Sequence, residues 1–196
     1  MYRFDHDWFS PNLNNLNRII GGYQNAKPPR ILEIGALEGM SAIWFLENLP
    51  GCHVTTIDTW KGGKDHNPNN PEINFKRIKE NFDYNTLNFK DRLTAIESTS
   101  FDGLVSLIAN DEKFDFVFID GSHTAIDVNT DLILSFKLLN VGAIIYCDDY
   151  LWGVNEFTTY DCPKLGIDSF VNTYLNKLKP LVGLANNAAV YMKVSE

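Results

Sequence analysis

The chain has 196 residues, enough for one domain that buries a full core without staples. Hydrophobic residues make up 44% and charged residues 21%, and the net charge is -8 with a pI near 4.9. Lysines and arginines are scattered rather than gathered into a stripe, which disfavours a nucleic-acid partner. Three widely spaced cysteines, Cys52, Cys147 and Cys162, form no C-x-x-C pair, so the expectation is reduced, buried thiols and a cytoplasmic setting, not a zinc ribbon. The N-terminus "MYRFDHDWFS" shows no signal-peptide pattern, and no apolar run approaches the ~20 residues of a membrane span.

In chain order, an initial helix over about Pro11–Tyr23 is expected to pack at the edge of a sheet. "RILEIG" (Arg30–Gly35) reads as a first strand, and "SAIWFLENL" as a helix with Ile43, Leu46 and Leu49 near one face. "CHVTTID" (Cys52–Asp58) is a second, β-branched strand, followed by the loop Trp60–Pro71 and an amphipathic helix over "EINFKRIKENF". "RLTAIES" (Arg92–Ser98) is a third strand and "FDGLVSLIAN" its helix. "KFDFVFID" (Lys113–Asp120) is a fourth strand, followed by the helix "TAIDVNTDLILSFKLLN" with Ile126, Ile133, Phe136 and Leu139 toward the core. "VGAIIYCD" is a fifth strand, and "PKLGIDSFVNTYLNKL" a helix with Pro163 in its first turn. "PLVGLA" and "NAAVYMKV" are close enough to require a tight turn and hence antiparallel pairing. The alternation predicts a doubly wound α/β fold, a mostly parallel sheet with helices on both faces. Residues 1–29 would be an N-terminal arm and helix, and 30–196 a Rossmann-like core.

In such sheets, ligands bind beyond the carboxyl ends of the strands. Here the strands end in "EIGALEG" (Glu33–Gly39), Asp58, "ESTS" (Glu97–Ser100), "DGSH" (Asp120–His123) and "DDY" (Asp148–Tyr150), so nearly every strand brings polar residues to one rim. Gly35 and Gly39 suit a tight turn whose backbone N–H groups approach a ligand, and Asp58 suits the two hydroxyls of a ribose. The spacing E-x-G-x-x-x-G differs from the dinucleotide pattern G-x-G-x-x-G. It fits a nucleoside cofactor without phosphates, S-adenosylmethionine, better than NAD. Asp148 and Asp149 stand side by side, and at roughly 5 Å and an effective dielectric near 20 two such charges repel by about 3 kcal/mol. With Asp120 on the neighbouring strand end, three hard oxygen donors converge where a cation would relieve them; magnesium, calcium and manganese suit such ligands.

The stretches "RILEIGALEGMSAIWFL", "TTIDTW", "FVFIDGSHTAIDVNTDLILSFKLLNVGAIIYCDDYLWG" and "PKLGIDSF" resemble class I S-adenosylmethionine-dependent methyltransferases, in particular the small-molecule O-methyltransferases of the catechol and macrocin types. The resemblance runs from about Arg30 to the C-terminus, with Val141–Gly142 standing where many relatives carry two glycines at a turn. It implies a seven-stranded sheet of order 3-2-1-4-5-7-6 with strand seven antiparallel. It also implies that Glu33, Gly35, Gly39 and Ser41 surround the methionine part, that Asp58 holds the ribose, that Ser98, Thr99 and Ser100 lie near the adenine, and that Ala36 and Thr59 also contact the cofactor. Asp120, which would also face the cofactor, would join Asp148 and Asp149 as ligands of a divalent ion such as Mg2+, and His123 would stand where catechol-type enzymes place a lysine base.

His123 has a side chain suited to proton transfer near neutrality, and the alternative is a residue that only caps or packs at a helix start. Trp8, Trp60, Tyr150 and Trp152 are candidate walls of an acceptor pocket, although each singly is more readily a packing residue. The arm "FDHDWF" and the loops Trp60–Pro71 and Tyr150–Cys162 are candidate lids. His6, His53 and His66 lack a motif. The expected partner is a small polar acceptor such as a sugar or phenol, with neither nucleic acid nor membrane, and a homo-oligomer remains open. Two rivals stand: a cofactor-binding domain without turnover, and a short-chain NAD(P)-dependent reductase. The latter would use Tyr160 and Lys164 of "YDCPK", where Pro163 opposes the required helix.

Overall fold

Alternating side chains along the central strands divide the core in two. In this computed structural model, which describes residues 1–23, 27–63, 73–154, 162–181 and 188–196, the strands form one seven-stranded sheet of order β3-β2-β1-β4-β5-β7-β6. The strands are β1 (Arg30–Ile34), β2 (His53–Asp58), β3 (Leu93–Glu97), β4 (Phe114–Ile119), β5 (Leu139–Cys147), β6 (Leu178–Pro180) and β7 (Ala189–Lys193). The first five pair in parallel, while β7 runs antiparallel to both β5 and β6.

The helices are α1 (Leu13–Ile20), α2 (Met40–Asn48), α3 (Phe75–Asn85), α4 (Ser100–Ala109), α5 (Ala125–Leu138) and α6 (Pro163–Thr173). Successive residues of a strand point to opposite faces. Leu32, Val117 and Ile145 therefore join a core shared with α4, α5 and α6, whereas Ile31, Phe116, Phe118, Ile144 and Tyr146 join a second core with α1 and α2. This explains why these strands read as continuous apolar runs: both faces are covered.

Four expectations are corrected. The initial helix does not sit at the sheet edge. Leu16 and Ile20 pack over the central strands, in one cluster with Ile31, Phe116 and Tyr146, because the face left bare by α2 must be covered. Ile126 is 71% exposed in the first turn of α5, whose core stripe runs instead through Val128, Leu132 and Phe136. Leu139 is buried, but as the first residue of β5. The first strand of the terminal hairpin begins earlier than expected, at Leu178, and most of "PLVGLA" lies outside the described residues. The three cysteines are free and buried.

Strand register sets the functional rim. The N–H of Gly35 donates to the carbonyl of Ile57 (3.0 Å), that of Asp120 to Ile34 (2.9 Å), that of Asp148 to Ile119 (3.0 Å) and that of Ser98 to Asp58 (3.0 Å). The ladder therefore continues one residue past each strand and lines up the polar ends side by side.

Candidate active site

The turn after β1 is built around Gly35. Its φ is +88°, and a Cβ there would lie 2.0 Å from the backbone oxygen of Asp120, so only glycine fits between β1 and the end of β4. Gly39 caps α2 with φ +83°, and Ser41 is buried in that helix's first turn. Between the glycines Leu37 has φ +47°; Trp60 (φ +48°) and Asp149 (φ +54°) also adopt left-handed backbone on this rim. Such conformations cost free energy and concentrate where surrounding contacts over-determine them.

Glu33 is wholly buried, and neither carboxylate oxygen has a hydrogen-bond partner. Burial pushes its pKa up to about 7. The Ser41 and Thr56 hydroxyls face it closely enough to oppose the shift, without closing a bond of normal geometry, and Asp58 adds to it. Asp58, at the end of β2, accepts from the N–H groups of Ala36 (2.7 Å) and Leu37 (3.0 Å) through Oδ2, and of Trp60 (2.7 Å) through Oδ1. It thus holds the glycine turn in shape. Thr59 accepts from the Lys61 N–H at 3.1 Å.

At the end of β3, Thr99 caps α4 by accepting from the Asp102 N–H (3.1 Å), and Ser100 faces Asp131 of α5. Trp60 is buried rather than part of an open wall. Its indole N–H donates to the Leu37 carbonyl (2.9 Å), and its ring packs against Phe82 with centroids 4.7 Å apart.

The N-terminal arm lies across this turn. Glu38, buried, accepts from the N–H groups of Asp5 (2.8 Å) and His6 (3.0 Å) and from the Asn81 amide (2.8 Å). Asn85 grips the backbone of Arg3 on both sides, accepting from its N–H (2.7 Å) and donating to its carbonyl (2.8 Å). Asp5 pairs with the Arg77 guanidinium, which lowers the pKa of its carboxyl. Trp8 stays half-exposed beside His6, with ring centroids 5.1 Å apart.

The second half of the rim gathers acids. One carboxylate oxygen each of Asp120, Asp148 and Asp149 lies within 4.8 Å of the others. Burial, then Asp148 and Asp149, raise the pKa of Asp120 well above the usual carboxylate range, with His123 opposing. Asp148 is pushed up to about 6 by burial and Asp149, against a hydrogen bond from Asn12. His123 Nε2 lies 3.0 Å from Asp149 Oδ2, and its ring stacks on Trp152 with centroids 4.4 Å apart. Tyr150 turns toward α6, donating to Asp168 (2.9 Å) and accepting from Lys164 (2.8 Å). Lys164 is therefore committed away from the reductase role, whose Tyr160 lies outside the described residues, as do His66 and the middles of the two expected lid loops. His53 sits elsewhere, 2.9 Å from Thr94.

A family model described as a methyltransferase domain matches residues 32–150, from β1 through the acid pair. The chain belongs to this methyltransferase family. Solved methyltransferases share the fold. An O-methyltransferase from Bacillus cereus in complex with SAH aligns with TM-score 0.70 and 22% identity over 97% of this chain and 83% of that one. The O-methyltransferase TomG from Streptomyces achromogenes, in complex with SAM, aligns with TM-score 0.69 and 19% identity over 96% and 82%. The methyltransferase MycE of mycinamycin biosynthesis, in complex with Mg, SAH and mycinamycin VI, aligns with TM-score 0.68 and 16% identity over 97% of this chain and 51% of that one. No curated protein sequence matches the chain. The methyltransferase fold thus has the strand order that the resemblance implied, and its helices include none long and apolar enough to cross a membrane among the described residues.

Reading the sequence of this methyltransferase missed Asn12, Glu38, Asn81 and Asn85, which hold the arm, and Asp131, a buried acid between α4 and α5. Their partners lie tens of residues away, and no motif marks them.

Proposed function

We propose that the protein is an S-adenosylmethionine-dependent O-methyltransferase, assisted by a divalent cation and acting on a small polar acceptor such as a sugar or phenol. Residues 30–196 would form its catalytic core, and residues 1–29 an arm and helix that complete it. The observation that carries this reading is the juxtaposition of the Gly35 turn with three converging carboxylates, since the Gly35 Cα abuts the backbone of Asp120. Both implied ligands fit the residues present. The orphaned carboxylate of Glu33 beside the turn suits a cationic amine, and hard oxygens at Asp120, Asp148 and Asp149 suit a hard cation.

When bound, S-adenosylmethionine supplies an electrophilic methyl group on a sulfonium, and the cation supplies charge that lowers the pKa of an acceptor hydroxyl. Gly35, Ala36, Gly39 and Ser41 would line the methionine part, Asp58 and Thr59 the ribose, and Ser98, Thr99 and Ser100 the adenine. Three lone pairs of Asp58 already serve backbone N–H groups, so it would receive a ribose hydroxyl through its remaining acceptor capacity. His123 would take the acceptor's proton. A carboxylate only accepts, so Nε2 toward Asp149 carries the hydrogen and Nδ1 is the basic nitrogen. The Trp152 ring fixes the imidazole plane.

The test is transfer of a labelled methyl group from S-adenosylmethionine to a panel of phenols and sugars, with magnesium or with chelator. Magnesium-dependent transfer supports the reading. Cofactor binding without transfer to any acceptor supports a non-catalytic domain instead, and transfer unaffected by chelation removes the cation.

A further inference from the structure

Asn12 stands at the N-cap of α1, a position where asparagine commonly accepts from the helix's first N–H groups. Here its side chain makes no capping bond and turns into the protein, where the residue is only 5% exposed. Its amide nitrogen donates to Asp148 Oδ2, and its amide oxygen accepts from the Tyr146 hydroxyl at 2.6 Å. The chain of bonds has one direction only. A carboxylate accepts and cannot donate, so the amide NH2 must face Asp148. The amide oxygen then faces Tyr146, whose hydroxyl must donate. Tyr146 is itself fully buried on β5, two residues before Asp148, stacked against Phe118 with centroids 5.2 Å apart.

From these contacts we infer that Asn12 is a positioning residue for cation binding: held by Tyr146, it fixes the rotation of the Asp148 carboxylate. The inference rests on the cation reading above. Asp148 Oδ1 accepts from the Asp149 N–H (2.8 Å) and Oδ2 from Asn12, so each oxygen keeps a lone pair for an ion, and the carboxylate plane is pinned on both sides. Without Asn12, the side chain would be held by the Asp149 N–H alone and would rotate to relieve repulsion from Asp120 and Asp149. The arm makes the arrangement rigid, because Glu38 and Asn85 anchor it on the glycine turn only a few residues before Asn12.

The experiment is titration of the full chain with Mn2+, followed by electron paramagnetic resonance. Wild type is compared with Asn12→Ala, Tyr146→Phe and the double variant, and S-adenosylhomocysteine binding is measured on each by calorimetry. Loss of a group that orients a metal ligand weakens metal affinity by about 10–100-fold. Asn12→Ala should show that loss with S-adenosylhomocysteine affinity unchanged. Tyr146→Phe should show a smaller loss, and the double variant no more than Asn12→Ala alone, because Tyr146 acts through Asn12. Wild-type Mn2+ affinity in Asn12→Ala, or multiplying effects in the double variant, overturns the inference while leaving the cation reading intact. Equal weakening of Mn2+ and S-adenosylhomocysteine binding also overturns it, since that is the mark of a merely structural loss. Should Asn12→Ala fail to fold with chelator present, an unchanged affinity in Tyr146→Phe overturns it. A wild-type chain that binds no Mn2+ overturns both readings together.

Discussion

The two halves of the rim solve the same electrostatic problem in opposite ways. At the ends of β1 and β2, Asp58 is surrounded by backbone donors from Ala36, Leu37 and Trp60, so its charge is met by the fold itself. At the ends of β4 and β5, Asp120, Asp148 and Asp149 face one another, and burial with mutual repulsion raises the pKa of the first two. The carboxylates differ in what surrounds them, not in kind. At Asp58 the charge is met by backbone donors, whereas among Asp120, Asp148 and Asp149 negative charge is gathered, and Glu33 on the first half stays unpartnered.

The largest expected effect tests how closely the halves are joined. Gly35→Ala would place a methyl 2.0 Å from the Asp120 backbone oxygen at φ +88°, where neither backbone can yield without moving the rim. It should cost about 3 kcal/mol or more in urea unfolding and abolish cofactor binding. A loss below 1 kcal/mol would mean that the seam is loose.

Next come two substitutions of one kind with opposite signs. Asp58→Asn turns an amide NH2 toward backbone N–H groups and should destabilise the metal-free protein by about 2–3 kcal/mol. Asp120→Asn relieves repulsion and should raise the stability of the metal-free protein at pH 8. Thermal melts with chelator measure both, and the same sign for both would break the comparison.

The smallest effect sharpens it with an acid outside the rim. Asp131 is buried between α4 and α5, one of its oxygens is unpartnered, and burial pushes its pKa up to about 7. Its folded pKa lies above its unfolded value, so the folded state holds a proton that unfolding releases. Stability from this group is present below about pH 4 and is lost as pH rises toward 7, with no further change above. Asp131→Asn should therefore gain about 1–2 kcal/mol over wild type at pH 8 and little at pH 4.5, by denaturant unfolding at the two values. An equal difference at both would place the Asp131 pKa near its ordinary value.

Much of the fold was legible because strand ends carry their own punctuation. "RILEIG", "CHVTTID" and "KFDFVFID" are apolar runs closed by glycine or aspartate, and β1, β2 and β4 begin and end within a residue or two of them. The acid cluster was legible for the same reason, since parallel register brings residues just past each strand to one edge. Ile126 was misread because an apolar residue in the first turn of a helix satisfies the periodicity without facing the core, and Leu139, a core residue as expected, was read as helix because the apolar run passes without punctuation from α5 into β5. The roles of Asn12 and Glu38 were not legible. Their contacts span 136 residues to Asp148 and 33 to Asp5, and they depend on how the arm crosses the sheet face, which no local pattern encodes.

The proposed site for a divalent cation is the second half of the rim. The most direct measurement is a crystal grown with S-adenosylhomocysteine and Mn2+, with anomalous scattering recorded at the manganese edge. A cation held there gives a single strong peak bonded to Asp120, Asp148 and Asp149, with Asn12 still hydrogen-bonded to Asp148. An occupied cofactor turn with no peak among the three carboxylates would contradict it.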